Sequence, residues 1–337
     1  MRQRTTGVLL GVLLGILVAA GCSTAGSTAS HEPAPMRPFG GVLTYTPAQR
    51  AALHAAEENL VSVCMRRRGF DYDPEGLATG GTDPDDRSPY GLLTTSQALQ
   101  DGYGITSAAL LTHRPKDPNR VRSRQKGWQE ALLGTPAHKV TVSLPGGQKY
   151  FYNSDSCVSS ARGHLYGSGY ERLYNLFQVL ANDVISTVRT DADYQRVQGR
   201  WAACMAGAGE RVAVLDDPRD QVDRRLRTAL QAHQDLRPVA EFELELSRRD
   251  ARCQRTVRLD AAVKGAQQRA ERTKDGTYHD DLSRLRAMRA EALRRSQKPS
   301  SSSATIARPS DTPAVPSSAA PSDQPRSPLR TFSAPLV

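Results

Sequence analysis

Four cysteines limit what this chain can fold into. Cys64, Cys157, Cys204 and Cys253 each fall on the apolar face of a segment with helical periodicity. Between Pro47 and Arg68, Leu53, Ala56, Leu60, Val63 and Cys64 share one face. Thr46 and Pro47 are placed there as N-cap and first helical residue, and Gly69 stands where a left-handed C-cap is wanted. After a cap within 153–155, a second helix carries Cys157, Ala161 and Leu165. A third starts at Asp191 or Asp193 and repeats Tyr194, Val197, Trp201 and Cys204 at spacings of three, four and three. A fourth, from Arg237 to about Arg272, turns Val239, Phe242, Leu246, Cys253 and Val257 inward. Thiols on buried faces crosslink helices or bind metal. No pair shows Cys-x2-Cys spacing and no two histidines sit at ligand spacing, so no metal site is expected and two disulfides are.

Disulfides require an oxidising compartment, and the N-terminus supplies the route to one. Met1-Arg2-Gln3-Arg4 is basic, Gly7 to Ala20 is an apolar run, and Ala19-Ala20-Gly21 leads to a fifth cysteine, Cys22. A basic start, a short apolar run and small residues before a cut make a secretory signal. The run of fourteen residues is short of the roughly 20 that a membrane-crossing helix needs. A plain secretion signal has no use for the cysteine, whereas a lipoprotein signal needs its thiol to take the diacylglycerol. Ala19 stands where Leu is commoner. The expectation is a signal peptide over residues 1–21, lipidation of Cys22, and a Ser-, Thr-, Gly- and Pro-rich tether over 22–45. The chain would then be held on the extracytoplasmic face of the cell membrane.

Four cysteines allow three pairings, and an internal echo selects one. Cys64-Met65-Arg-Arg-Arg-Gly69 and Cys204-Met205-Ala-Gly-Ala-Gly209 each end a predicted helix with Cys-Met on its last inward turn. Each is followed by a second helical cysteine that an acid precedes closely: Asp155 before Cys157 and Asp250 before Cys253. A duplicated unit, one helix and a second stapled back to it, pairs Cys64 with Cys157 and Cys204 with Cys253.

The intervening segments fill in the architecture. Residues 71–139 are rich in loops, with short helical pieces at Thr95–Gln100 and Ser123–Leu133. Residues 140–144 and 148–152 flank Pro145-Gly146-Gly147 and alternate as a β-hairpin does. Helices are expected from Gly169 to Arg189, from Asp217 to about His233, and from Asp280 to Gln297. Residues 298–337 are Pro, Ser, Ala and Thr with scattered Arg, and nothing there offsets the entropy of ordering. Extended as polyproline II, such a tail reaches about 120 Å. The fold class is therefore mainly α: a disulfide-stapled helical domain with one small hairpin in an insert and a disordered C-terminal tail. Its units are 46–168, carrying the insert, and 169–297, carrying the basic helices.

The arrangement resembles a group of uncharacterised secreted lipoproteins of actinomycetes. The resemblance rests on the lipobox, on Cys-Met-x3-Gly-Phe at 64–70, on Trp201-x2-Cys-Met, on Asp250-x2-Cys253, and on Gly163 to Gly167 after Cys157. It implies service to membrane transport or wall-associated systems, and no activity that can be carried over.

Signals for chemistry are weak. Asp71-Tyr-Asp73-Pro-Glu75-Gly76 opens like a calcium loop, but its twelfth position is Thr82 where a bidentate Glu is required. Ser123-x-x-Lys126 lacks the companion elements of penicillin-binding enzymes. Asp250 falls on the apolar stripe one turn before Cys253. Buried, it needs a partner such as an arginine or the Trp201 indole N–H, a structural role more often than a functional one. Trp201 itself is expected to pack over the disulfide. A net charge of +10 would suit nucleic acid, which an exported chain rarely meets, so anionic headgroups and wall polymers are the expected counter-surface. The reading is a membrane-anchored, non-catalytic binding or accessory module without cofactor. Beyond the membrane lipid held through Cys22, its partner would be an integral-membrane transport complex or an anionic wall polymer. The alternative is a small-molecule binding or hydrolytic protein with a closed polar pocket in 71–152.

Overall fold

In the computed structural model, which describes residues 36–77, 80, 87–111 and 115–297, Thr46 opens the first helix as the sequence predicts. Its hydroxyl accepts from Gln49 N–H at 3.2 Å and the Gln49 side chain accepts from Thr46 N–H at 3.1 Å, which satisfies two of the free amides of the helix start. This helix, α1 (Pro47–Arg67), ends at Gly69 with φ of 82°. Short helices α2 (Thr95–Gln100), α3 (Ile105–Leu111) and α4 (Trp128–Leu133) follow. Strands β1 (Lys139–Ser143) and β2 (Lys149–Asn153) pair antiparallel around Pro145–Gly147, with Thr141 opposite Phe151. The rest is helical: α5 (Cys157–Tyr166), α6 (Tyr170–Thr190), α7 (Ala192–Gly207), α8 (Asp217–Gln231), α9 (Arg237–Val257) and α10 (Leu259–Ser296).

Both disulfides form as the echo selects: Cys64–Cys157 ties α1 to α5 and Cys204–Cys253 ties α7 to α9. The echo is also one repeated backbone geometry. Phe70 N–H bonds Met65 C=O and Gly69 N–H bonds Arg66 C=O; Glu210 N–H bonds Met205 C=O and Gly209 N–H bonds Ala206 C=O. This double closure requires a left-handed residue, and Gly69 and Gly209 supply it at φ 82° and 88°. The closure holds Met65 and Met205 fully buried beside their disulfides. The preceding acids do not share a role. Asp155 lies before α5 and accepts from the Thr135 amide at 3.0 Å, whereas Asp250 lies inside α9.

The core has three clusters. One gathers Trp201, Met205, Leu246, Cys253, Leu259 and Val263 around the second disulfide. A second runs between α6 and α10 and takes in Phe39 and Val42 from the segment before α1. The third holds Val61, Met65, Tyr72, Trp128 and Cys157. The insert is shared between these clusters. Tyr90 and Tyr103 join the first and Tyr72 and Trp128 the third, so the predicted units are knitted together through 71–139.

The helix breaks fall elsewhere than the sequence suggests. The chain turns at Arg258, in left-handed conformation at φ 57°, and then runs unbroken through Gly276 to Ser296. One glycine costs a helix about 1 kcal/mol. Ala270 on one side of it and Leu282, Leu285 and Ala292 on the other bury against the α6 cluster and outweigh that cost. The turn at Arg258 keeps Leu259 and Val263 in the cluster that holds Leu246, which a straight α9 could not do. The expected piece Ser123–Leu133 is split into a 3-10 turn at Arg122–Arg124 and α4, because Gly127 stands between them in left-handed conformation. Helix α3 was not expected. Among the described residues no helix is long and apolar enough to cross a membrane. The expected signal peptide, Cys22, most of the tether and the tail 298–337 lie outside the described residues.

Candidate functional site

Helix α9 carries a polar stripe along one flank of its buried face: Glu243, Ser247, Asp250 and Gln254, at spacings of four, three and four. At 3.6 residues per turn these four stand above one another. Each reaches into the segment 91–106 of the insert.

Glu243, only 2% exposed, accepts from the backbone N–H groups of Tyr103 at 2.9 Å, Ile105 at 2.8 Å and Thr106 at 2.8 Å. It caps α3 from about 140 residues away, supplying the acceptors that the first amides of a helix lack. Gly102 makes the approach possible. At φ +65° a Cβ there would stand 2.7 Å from Glu243 Cγ. Ser247 donates to Ala98 C=O at the end of α2. Gln254 accepts from Leu93 N–H at 2.9 Å and donates to Gly91 C=O at 3.2 Å.

Asp250 is fully buried and accepts three hydrogen bonds. Trp201 Nε1–H reaches Oδ1 at 2.8 Å, Gln254 Nε2–H reaches Oδ1 at 2.9 Å, and the Tyr103 hydroxyl reaches Oδ2 at 3.0 Å. Burial pushes its carboxyl above the usual carboxylate range, against the pull of the Gln254 and Trp201 donors and of Arg219. Burial and then the Asp250 charge push the Tyr103 hydroxyl up as well. Arg219 of α8 stacks on the Tyr103 ring at 5.0 Å and donates to Gly91 C=O at 3.3 Å; burial pulls its pKa below the ordinary value.

Two expected site residues, Trp201 and Asp250, are therefore in direct contact, beside the disulfide of the same cluster. Ser123 and Lys126 do not act together: the Ser123 hydroxyl donates to Arg120 C=O and Lys126 is exposed. Of the calcium-like run, Asp73 pairs with Arg122. The sequence reading missed Glu243, Ser247, Gln254, Tyr103 and Arg219. The four-three-four spacing of polar residues beside Leu246 and Cys253 was visible; what would cover that flank was not.

Chemically the stripe is a set of acceptors and donors saturated by the chain's own groups. The cleft beside it, lined by Arg87, Ser88, Gln97, Tyr103 and Arg219, has a volume of about 10 Å³, roughly one water. Comparison of the chain with protein-family models, with curated proteins and with solved structures finds no match to any of them.

Proposed function

We propose that this chain is an extracytoplasmic lipoprotein, anchored through Cys22, that acts as a non-catalytic binding or accessory module at the membrane. Its resemblance in cysteine motifs to secreted actinomycete lipoproteins supports this reading. The observation that carries the non-catalytic part is the commitment of the buried acids: Glu243 and Asp250 are closed off by six bonds from the chain itself. A general acid or base must reach a substrate, and neither carboxylate meets solvent. Two disulfides tying α1 to α5 and α7 to α9 suit a rigid scaffold outside the cytoplasm. The partner in this reading is an integral-membrane transport complex or an anionic wall polymer.

The anchor is tested by mass spectrometry of the mature N-terminus in the native host. A diacylglyceryl-modified Cys22 as the first residue supports it, and Cys22→Ser should move the protein from the membrane fraction to the medium. An unmodified mature N-terminus at any other position rejects the anchor. Crosslinking on intact cells then identifies the partner.

A further inference from the structure

Arg66 and Arg67 end α1 and Arg68 caps it, and Arg120, Arg124 and Lys126 lie in the loop before α4. Buried Asn119 pins that loop to the stretch following α1. Its amide donates to Asp73 C=O at 2.8 Å and accepts from Asp73 N–H at 2.9 Å. Trp128 Nε1–H bonds Asp71 C=O at 3.0 Å, and a Cβ at Gly127 would sit 3.3 Å from Phe70. The loop with the second basic run is thus packed on the stretch that directly follows the first.

Basic residues at a helix C-terminus are favoured by its dipole, which accounts for Arg66 to Arg68. It does not account for the loop. Arg67, Arg120, Arg124 and Lys126 are exposed and form no ion pair with any acid among the described residues. The acids beside them are partly engaged: Asp73 by Arg122, Asp117 by the Asn119 amide and Glu58 by the Tyr72 hydroxyl and the Glu75 amide, with Asp71, Glu75 and Glu130 exposed. Val121, between Arg120 and Arg122, is 79% exposed. An exposed apolar side chain on a loop whose exposed cations pair with no acid among the described residues fits the boundary of an anionic bilayer, where long apolar stems lie along apolar surface and the charges meet headgroups.

We propose that this face, built from Arg67, Arg120, Val121, Arg124 and Lys126, rests on anionic lipid headgroups. It deepens the membrane reading by giving the domain an orientation on its surface, and it does not need the acyl chain in order to be measured. The test uses the full chain carrying Cys22→Ser, secreted so that both disulfides form, in sedimentation with phosphatidylcholine vesicles with or without about one-quarter phosphatidylglycerol. Binding is expected only to the anionic vesicles. At about 1 kcal/mol per basic residue near a charged surface, Arg67→Gln with Arg124→Gln should lower partitioning roughly 30-fold. The control, Arg224→Gln with Arg252→Gln, removes the same charge from exposed positions on α8 and α9 and should leave partitioning within about twofold. Absence of anionic-vesicle binding, or equal loss in both double variants, overturns the proposal. Retention on purified wall polymer without vesicle binding also overturns it and gives the face to the wall. Because lipidation of Cys22 is read separately, failure here leaves the anchor standing and failure of the anchor leaves this result standing.

Discussion

Replacing Asp250 separates two effects that usually come mixed: the cost of burying a charge and the cost of orphaning its donors. In Asp250→Ala the Trp201 indole and the Tyr103 hydroxyl lose their acceptors, while Gln254 Nε2 keeps Gly91 C=O. Two buried donors at about 1–3 kcal/mol each give a loss of about 2–6 kcal/mol, reduced by release of the carboxylate's own desolvation cost. A net destabilisation of about 3 kcal/mol is expected, read as the shift in urea midpoint at constant slope. Asp250→Asn keeps an oxygen for Trp201 and Gln254 and orphans only the Tyr103 hydroxyl hydrogen, so the loss at pH 7 should be about 1–2 kcal/mol, smaller than that of alanine. The two variants also differ in pH dependence. The folded-state pKa of Asp250 lies above its unfolded value. Its contribution is therefore fully present below about pH 4, the unfolded value, and is lost as pH rises through the folded value. Asp250→Asn should abolish that part of the fall in stability above pH 4. The reasoning is refuted if the alanine variant unfolds at the wild-type urea concentration, or if the asparagine variant loses as much as alanine.

Three further outcomes follow from the geometry. Replacing Cys204 and Cys253 by serine opens a loop of 49 residues, and replacing Cys64 and Cys157 opens one of 93; losses of roughly 4 and 4.6 kcal/mol respectively should appear in denaturant titrations. Gly102→Ala drives a Cβ against Glu243 at a positive φ and should loosen α2 and α3, read as faster amide hydrogen exchange over 95–111 with protection of α6 and α10 unchanged. Arg258→Gly relieves a left-handed arginine between α9 and α10 and should raise stability by about 1 kcal/mol, seen as a higher Tm by calorimetry.

Much of the fold could be read along the chain because its signals are local. Helical spacing around Cys64, Cys157, Cys204 and Cys253, the cap at Thr46, the glycines 69 and 209 and the turn at 145–147 each depend on residues within a few positions. The pairing of the cysteines was also legible, because Cys-Met-x3-Gly writes one helix-ending geometry twice. The Trp201–Asp250 contact could be named as an option, since a buried carboxylate needs a donor and the indole lay on a predicted inward face.

Tertiary structure decided what no local signal could carry. Gly276 marks a break by composition, yet burial of Leu282 and Leu285 on the α6 cluster carries α10 through it, and the turn falls at Arg258, which has no breaker's sequence. Glu243 reads as an ordinary helical acid until the insert folds over α9 and presents three amides about 140 residues away in sequence. Local pattern along the chain was enough to set which faces of the helices are apolar and where the helices with cysteines end. The fold decided which polar groups on those faces would be covered, because burial is a property of the packed whole and a carboxylate's role follows from what is packed against it.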